Sequence, residues 1–126
     1  MAQTIPIYIN VDTITSASLV DDTESAEEAI TTNSGDIASG LLWGVHGELS
    51  STSGSVVVRA YNDDSSTIEL YKVTLSFNGG VTQASDLLSA GIPMFEAPYF
   101  TAESPSSDSS SGKTIDLTFY IQGMTF

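Results

Sequence analysis

Residues 114–122 have the sequence TIDLTFYIQ, in which Ile115, Leu117, Phe119 and Ile121 alternate with Asp, Thr, Tyr and Gln. Successive side chains of a β-strand point to opposite faces, so a period of two places these four apolar residues on one face. The stretch therefore predicts a strand with one face buried in a core.

Alternation of the same kind recurs along the chain, and it identifies further strands at residues 5–11, 41–49, 56–61 and 67–77. The segments between them, 62–66 and 78–80, are rich in Asn, Asp, Ser and Gly, which is the chemistry of hairpin turns. The Ser-rich segment 104–112 is expected to be a mobile loop. The pattern predicts a meander of antiparallel strands.

Two short segments interrupt the strand pattern. A capping-box sequence at residues 25–28 predicts a single helical turn before Ile30, and residues 84–90, closed by Gly91 and Pro93, predict a short helix. Neither segment is long enough to change the predicted all-β fold class. The chain of 126 residues is predicted to form one domain, residues 1–126, that is an all-β, antiparallel, two-sheet β-sandwich of jelly-roll or immunoglobulin-like order.

Charge and composition limit the partners. The formal net charge is −13, with three basic residues in all, so nucleic acid and anionic membrane surfaces are not expected to bind. The chain has no cysteine, which excludes thiolate metal sites and a Cys nucleophile. The absence of cysteine also fits assembly in a reducing cytoplasm, and the first residues lack the features of a secretory signal.

No enzymatic machinery is predicted. His46 is the single histidine, and it lies between Val45 and Gly47 in a predicted strand without a nucleophile elbow. Acidic clusters at 21–28 and 63–64 lack the ligand spacing of a calcium loop and are interpreted as solvated. We therefore expect no catalytic residue, no cofactor and no metal site, with a small hydrolase that uses His46 as a distant alternative.

Aromatic residues leave a second function open. Sandwich domains can stack sugars on exposed rings, and Tyr61, Tyr71 and Tyr99 are candidates for such a row. Trp43 alternates in phase with Leu41 and Val45, so it is expected on the core face. A carbohydrate-binding or adhesion module is accordingly the alternative function.

The segment Gly91-Ile-Pro-Met-Phe-Glu-Ala-Pro-Tyr-Phe100 predicts an interface. Its prolines oppose regular strand pairing, yet its apolar residues need burial. Residues 41–43 and 56–58 are apolar on both strand faces, as in strands covered on both sides. The predicted interface residues are Ile92, Met94, Phe95, Tyr99, Phe100 and, in the C-terminal tail, Phe126.

Taken together, the missing signal and cysteines, the acidic turns, the hydroxyl-rich strands and the Pro-spaced apolar segment resemble the β-sandwich cement or decoration proteins of tailed-phage capsids. That resemblance implies a virion protein on the outer capsid surface, assembled as a homo-oligomer, typically a homotrimer. Its partners would be copies of itself and the major capsid protein or another assembly protein. It assigns no role to any single residue.

Overall fold

The computed structural model describes residues 15–25, 28–30, 40–62, 68–94 and 98–123. These ranges form strands and turns and no helix. The predicted strand at residues 5–11 lies outside them. The described ranges contain eight strands, in chain order β1 (Thr15–Ser18), β2 (Glu28–Ala29), β3 (Gly40–Leu49), β4 (Ser55–Tyr61), β5 (Glu69–Ser76), β6 (Gln83–Met94), β7 (Tyr99–Glu103) and β8 (Thr114–Gly123).

The strands form two antiparallel sheets, which confirms the predicted β-sandwich. The front sheet has the order β1-β8-β3-β6 and the back sheet the order β2-β7-β4-β5. The first strand thus pairs with the last, the second with the seventh, the third with the sixth and the fourth with the fifth. A long antiparallel ribbon rolled on itself has this order, which is that of an eight-stranded jelly roll. The order decides between the two topologies that the sequence left open.

The core lies between the inner faces of the two sheets. On β8 the alternating residues Ile115, Leu117, Phe119 and Ile121 are buried, as their period predicts. The rings of Phe119 on the front sheet and Phe100 on the back sheet lie with centroids 5.2 Å apart. Burial of such apolar area is the main stabilising term of the sandwich.

The predicted helix at residues 84–90 is wrong, because these residues belong to β6. There Ala84 and Leu88 pack against the core while Leu87 lies on the outer face. Pro93 is in register with Leu41 at the edge of the front sheet, where a missing N–H removes no ladder bond. Of the helical turn predicted at residues 25–28, Glu28 belongs instead to β2, and residues 26 and 27 lie outside the described ranges.

The Ser-rich segment 104–112 is packed rather than free. The Ser110 hydroxyl is buried and donates to the Ser55 carbonyl at 2.6 Å. The Asp108 carboxylate accepts hydrogen bonds from the amides of Ser55 at 2.8 Å and Ser110 at 3.0 Å. Burial opposes ionisation of Asp108, but these bonds outweigh it and hold the pKa of the carboxyl below its usual value.

Candidate interface on the outer face of the front sheet

Two of the predicted interface residues are core residues of this chain. Met94 and Phe100 are each 2 % exposed, and Phe100 packs on Phe119. A partner bound to the surface would not reach them. Their need for burial is met within the sandwich, because the segment that carries them is split between β6 and β7.

The other predicted interface residues have different positions. Ile92 is half-buried and packs against the core, and Tyr99 is half-buried in β7. Phe95 and Phe126 lie outside the described residues. Their contact role therefore stays a prediction.

A bulge in β3 changes the face on which Trp43 lies. The register of β3 shifts between Leu42 and Gly44 against both of its neighbours. Leu42 and Val45 are thereby both buried, while Leu41 and Trp43 are half-exposed on the outer face. The prediction that Trp43 shares the core face is wrong, since a bulge adds one residue and reverses the alternation.

Apolar side chains gather on the outer face of the front sheet, where polar residues are the norm. Register and alternation place them on three adjacent strands, β6, β3 and β8. Leu87 is 72 % exposed, the largest fraction among the exposed large hydrophobic residues. We name this set the outer patch, and its members are Leu41, Trp43, Leu87, Pro93 and Tyr120.

The centre of the outer patch is Gly44. It is in register with Leu87 on one side and with Tyr120 on the other. Gly44 itself is buried, and a Cβ atom placed on it would lie 2.1 Å from the backbone oxygen of Asp86. The backbones of β3 and β6 therefore approach closely at this point, while the Leu87 side chain projects into solvent.

Trp43 is held in place by contacts on both sides. Its Nε1 donates to Oε1 of Gln122 on β8 at 2.9 Å. A Cβ atom placed on Gly91 of β6 would lie 3.1 Å from Cε2 and 3.2 Å from Cζ2 of the indole, so the Gly91 backbone packs on the ring. Both contacts are near the Leu41 end of β3.

The outer patch is uncharged. The charged residues described on this face are Glu48 on β3 and Asp116 on β8, which occupy the same register position on the two neighbouring strands. They lie four positions from Gly44, about 13 Å along the strand. Asp86 of β6 points inwards and accepts a hydrogen bond from the Tyr71 hydroxyl at 2.5 Å.

His46 lies on the same outer face. Its Nδ1 is 2.6 Å from Oγ of Ser85, its cross-strand neighbour on β6. A hydrolase would need an acidic residue to orient the imidazole. Asp86, which follows Ser85 in the sequence, accepts the hydrogen bond of the Tyr71 hydroxyl on the inner side of the sheet instead. The contact has the geometry of a cross-strand hydrogen bond on a sheet surface.

Charges on the back sheet centre on Arg59. Its guanidinium contacts the carboxylates of Glu24 at 3.7 Å and Glu69 at 3.4 Å and is also hydrogen-bonded to Glu103. Glu103 is buried, so the guanidinium supplies the partner that this charge needs. One part of the acidic cluster at residues 21–28 is thus engaged in the fold.

Two of the three tyrosines considered for sugar stacking, Tyr61 and Tyr71, are hydrogen-bonded within the fold. The Tyr61 hydroxyl donates to Glu24 at 2.6 Å, and burial together with this bond raises the pKa of Tyr61 to about 12. The same hydrogen bond from Tyr61 lowers the pKa of Glu24. A hydrogen bond from the Thr101 hydroxyl adds to this effect, and partial burial of the carboxylate opposes it. Tyr71 is buried, and its burial, with its bond to Asp86, also raises the pKa of its hydroxyl. A row of exposed tyrosines is not formed by Tyr61 and Tyr71.

Other kinds of site were sought in the part of the chain that the structure describes. There, no three His, Asp or Glu side chains are grouped so that they share a metal ion. The described residues also contain no helix that is long and apolar enough to span a membrane. Comparisons of the chain with protein-family models, with curated proteins and with solved structures find no match.

Proposed function

We propose that this protein is a non-enzymatic structural component of a larger protein assembly, namely a cement or decoration protein on the surface of a virion capsid. It would assemble in the host cytoplasm with copies of itself and with the major capsid protein or another assembly protein. The observation that carries the proposal is the uncharged outer patch on a chain with a net charge of −13.

The composition of the outer patch supports a protein partner. Tryptophan and tyrosine are enriched among the residues that dominate protein interfaces, and charged residues are depleted at interface centres. Trp43 on β3 and Tyr120 on β8 supply both aromatic types on the same sheet face as the exposed Leu87. The pattern is that of an interface centre.

The fold is compatible with this role without proving it. Jelly rolls occur in viral capsid proteins and in lectins, and a fold shared so widely does not determine function. The acidic charge favours protein over nucleic acid or lipid as the partner. Away from the outer patch, the same charge would keep an assembled particle soluble.

A carbohydrate-binding module is the second candidate, because Trp43 and Tyr120 lie side by side on a flat sheet face. Two contacts weigh against it. The indole N–H is already bonded to Gln122, and the Gly91 backbone packs on the ring, so less of Trp43 is open to stack a sugar. Titration with neutral oligosaccharides, followed by the emission of Trp43, tests this alternative. Saturable binding that is lost in Trp43→Ala would favour it.

The proposed function is tested on virus particles purified from the source of the sequence. Lys72 and Lys113 are exposed, so an amine-reactive reagent that cannot enter particles can label them. We expect the chain at a fixed copy number per particle, with both lysines labelled in intact particles. Absence of the chain from particles, or labelling only after disruption, would contradict the proposal.

A further inference from the structure

We propose that the turn between β5 and β6 is a site of covalent self-modification, at which the backbone nitrogen of Gly79 attacks the side-chain amide of Asn78 and displaces it as ammonia. Water is the co-reactant, and the product is a carboxylate in place of a neutral amide. The inference goes beyond the proposed function and does not depend on it, because the reaction takes place within one chain and needs no partner.

The Asn78-Gly79 pair is open to solvent. Asn78, Gly79 and Gly80 are exposed, and they form the turn that follows the buried Phe77. Nothing lies within 4 Å of a Cβ atom placed on Gly79, so no neighbour blocks the approach of the side chain to this nitrogen. Within the described part of the chain, the Gly79 N–H donates to no backbone carbonyl. The attacking and attacked atoms belong to adjacent residues, which gives the reaction the advantage of proximity.

The carboxamide of Asn78 is held against the turn between β3 and β4. Its Nδ2 donates to Oγ of Ser76 at 3.1 Å, and its Oδ1 accepts a hydrogen bond from the Gly54 N–H at 3.4 Å. The Gly54 carbonyl accepts in turn from the Phe77 N–H at 2.9 Å, which fixes the two turns together. Negative charge develops on Oδ1 when Cγ is attacked, and a backbone donor at that atom favours such a charge.

The reaction has two steps. The Gly79 nitrogen gives its proton to water or hydroxide and forms a bond to Cγ of Asn78. The Cγ–Nδ2 bond then breaks, and the amide nitrogen takes a proton from water and leaves as ammonia. Water opens the resulting five-membered imide at either carbonyl carbon. Opening at Cγ gives aspartate, and opening at the main-chain carbonyl carbon gives isoaspartate, in which the main chain runs through Cγ.

Asn62 is the comparison site within the same chain. It is followed by Asp63, whose side chain hinders attack by its own backbone nitrogen, whereas Asn78 is followed by glycine. The Oδ1 atom of Asn62 is also buried, which removes its carboxamide from water. We therefore expect the amide to be lost at Asn78 in preference to Asn62.

Peptide mapping by mass spectrometry measures the two sites separately. Trypsin cleaves after Arg59, Lys72 and Lys113, which places Asn62 in the peptide 60–72 and Asn78 in the peptide 73–113, with no other asparagine in either. The folded chain is incubated at neutral and at mildly alkaline pH, and the mass gained when OH replaces NH2 is followed over time against a zero-time digest. We expect Asn78 to react at least about tenfold faster than Asn62, and faster at the higher pH. Equal rates at the two sites would overturn the inference.

Two glycine variants separate attack by Gly79 from a general loosening of the turn. Gly79 and Gly80 have φ angles of +90° and +83°, and nothing lies within 4 Å of a Cβ atom added to either. Gly79→Ala should slow the loss of the amide by about tenfold or more, because its Cβ shields the attacking nitrogen. Gly80→Ala should leave the rate unchanged. Equal slowing by both variants would contradict attack by the Gly79 nitrogen.

Unfolding in urea tests whether the fold leaves the site reactive. We expect the folded chain to lose the Asn78 amide within about tenfold of the unfolded rate, and a larger retardation would overturn the inference. Anion-exchange chromatography supplies a second readout, since each event adds one negative charge. The wild type should acquire a more acidic form with time, and Asn78→Asp should acquire none. An acidic form that accumulates at the wild-type rate in Asn78→Asp would place the reaction at another residue.

Discussion

Replacement of Gly44 by alanine is expected to be among the most disruptive small changes in this chain. A Cβ atom at this position would lie 2.1 Å from the backbone oxygen of Asp86 and 3.2 Å from Cα of Leu87. The φ angle is +146°, a region that residues with a side chain rarely adopt. Relief of the overlap requires β6 to move away from β3, because the atom contacted is backbone.

Two costs add at Gly44. Backbone strain of this kind costs about 1–3 kcal/mol, and overpacking against a fixed neighbour costs about 1–3 kcal/mol more. We expect a loss of about 4 kcal/mol in the free energy of unfolding. For a domain of this size that loss corresponds to a fall of roughly 10–20 °C in Tm.

Chemical denaturation followed by Trp43 emission measures the change, with Gly79→Ala as the matched control. Gly79 also has a positive φ, +90°, but nothing lies within 4 Å of its added Cβ. The control isolates the conformational cost, about 1 kcal/mol. If the two variants unfold within 1 kcal/mol of each other, the close approach of β6 to the β3 bulge is refuted.

Three further predictions concern the fold. Asp108→Ala should lower the free energy of unfolding by about 1–2 kcal/mol at pH 7, because hydrogen bonds stabilise the ionised carboxylate. The pKa of Asp108 is lower in the folded than in the unfolded chain. The stabilisation is therefore present above the unfolded pKa and is lost as the pH falls through the folded pKa. A difference from wild type that stayed constant down to pH 2 would contradict this reasoning. Tyr71→Phe should lower the free energy of unfolding by about 1–2 kcal/mol, measured by urea denaturation, because Asp86 loses its hydrogen-bond donor. An unchanged urea midpoint would show that this bond contributes nothing to stability. Phe100→Ala should cost about 3–5 kcal/mol if Phe100 is a core residue, whereas an interface residue would leave the stability of the monomer nearly unchanged.

Local periodicity was enough to predict the class of this fold. The alternation at Ile115, Leu117, Phe119 and Ile121 identified β8 and its buried face, and the structure confirms both. The strand order was beyond the same reasoning. It depends on pairs such as β1 with β8, which are distant in sequence, and no local pattern encodes such a pair.

The strand β6 shows how tertiary pairing overrides local preference. Residues 84–90 contain Ala and Leu and end at Gly91, which favours a helix, but pairing with β3 extends them. No period-two signal for a strand was present, because the inward residues Ala84, Asp86 and Leu88 and the outward residues Ser85 and Leu87 each mix polar and apolar types. The helix prediction concealed the exposure of Leu87, which is the most exposed member of the outer patch.

The segment 91–100 needed burial, and the sequence did not decide whether this chain or a partner supplies it. Met94 and Phe100 fill the core because β6 and β7 turn them inwards, which the two prolines of the segment did not indicate. Trp43 was missed for a different reason. The bulge at Leu42 and Gly44 shifts the alternation by one residue, and Gly44 was the signal that such a shift occurs.

The most direct test of assembly through the outer patch is rebinding to virus particles that lack the chain. Wild type, Val81→Asp and Leu87→Asp are each mixed with such particles, and the bound fraction is measured by co-sedimentation over a range of concentrations. Val81→Asp adds the same charge at an exposed residue outside the outer patch. We expect the wild type and Val81→Asp to bind alike and Leu87→Asp to bind at least tenfold more weakly, since it places a carboxylate in the uncharged outer patch. Equal binding of all three proteins, or no binding of the wild type, would contradict the account.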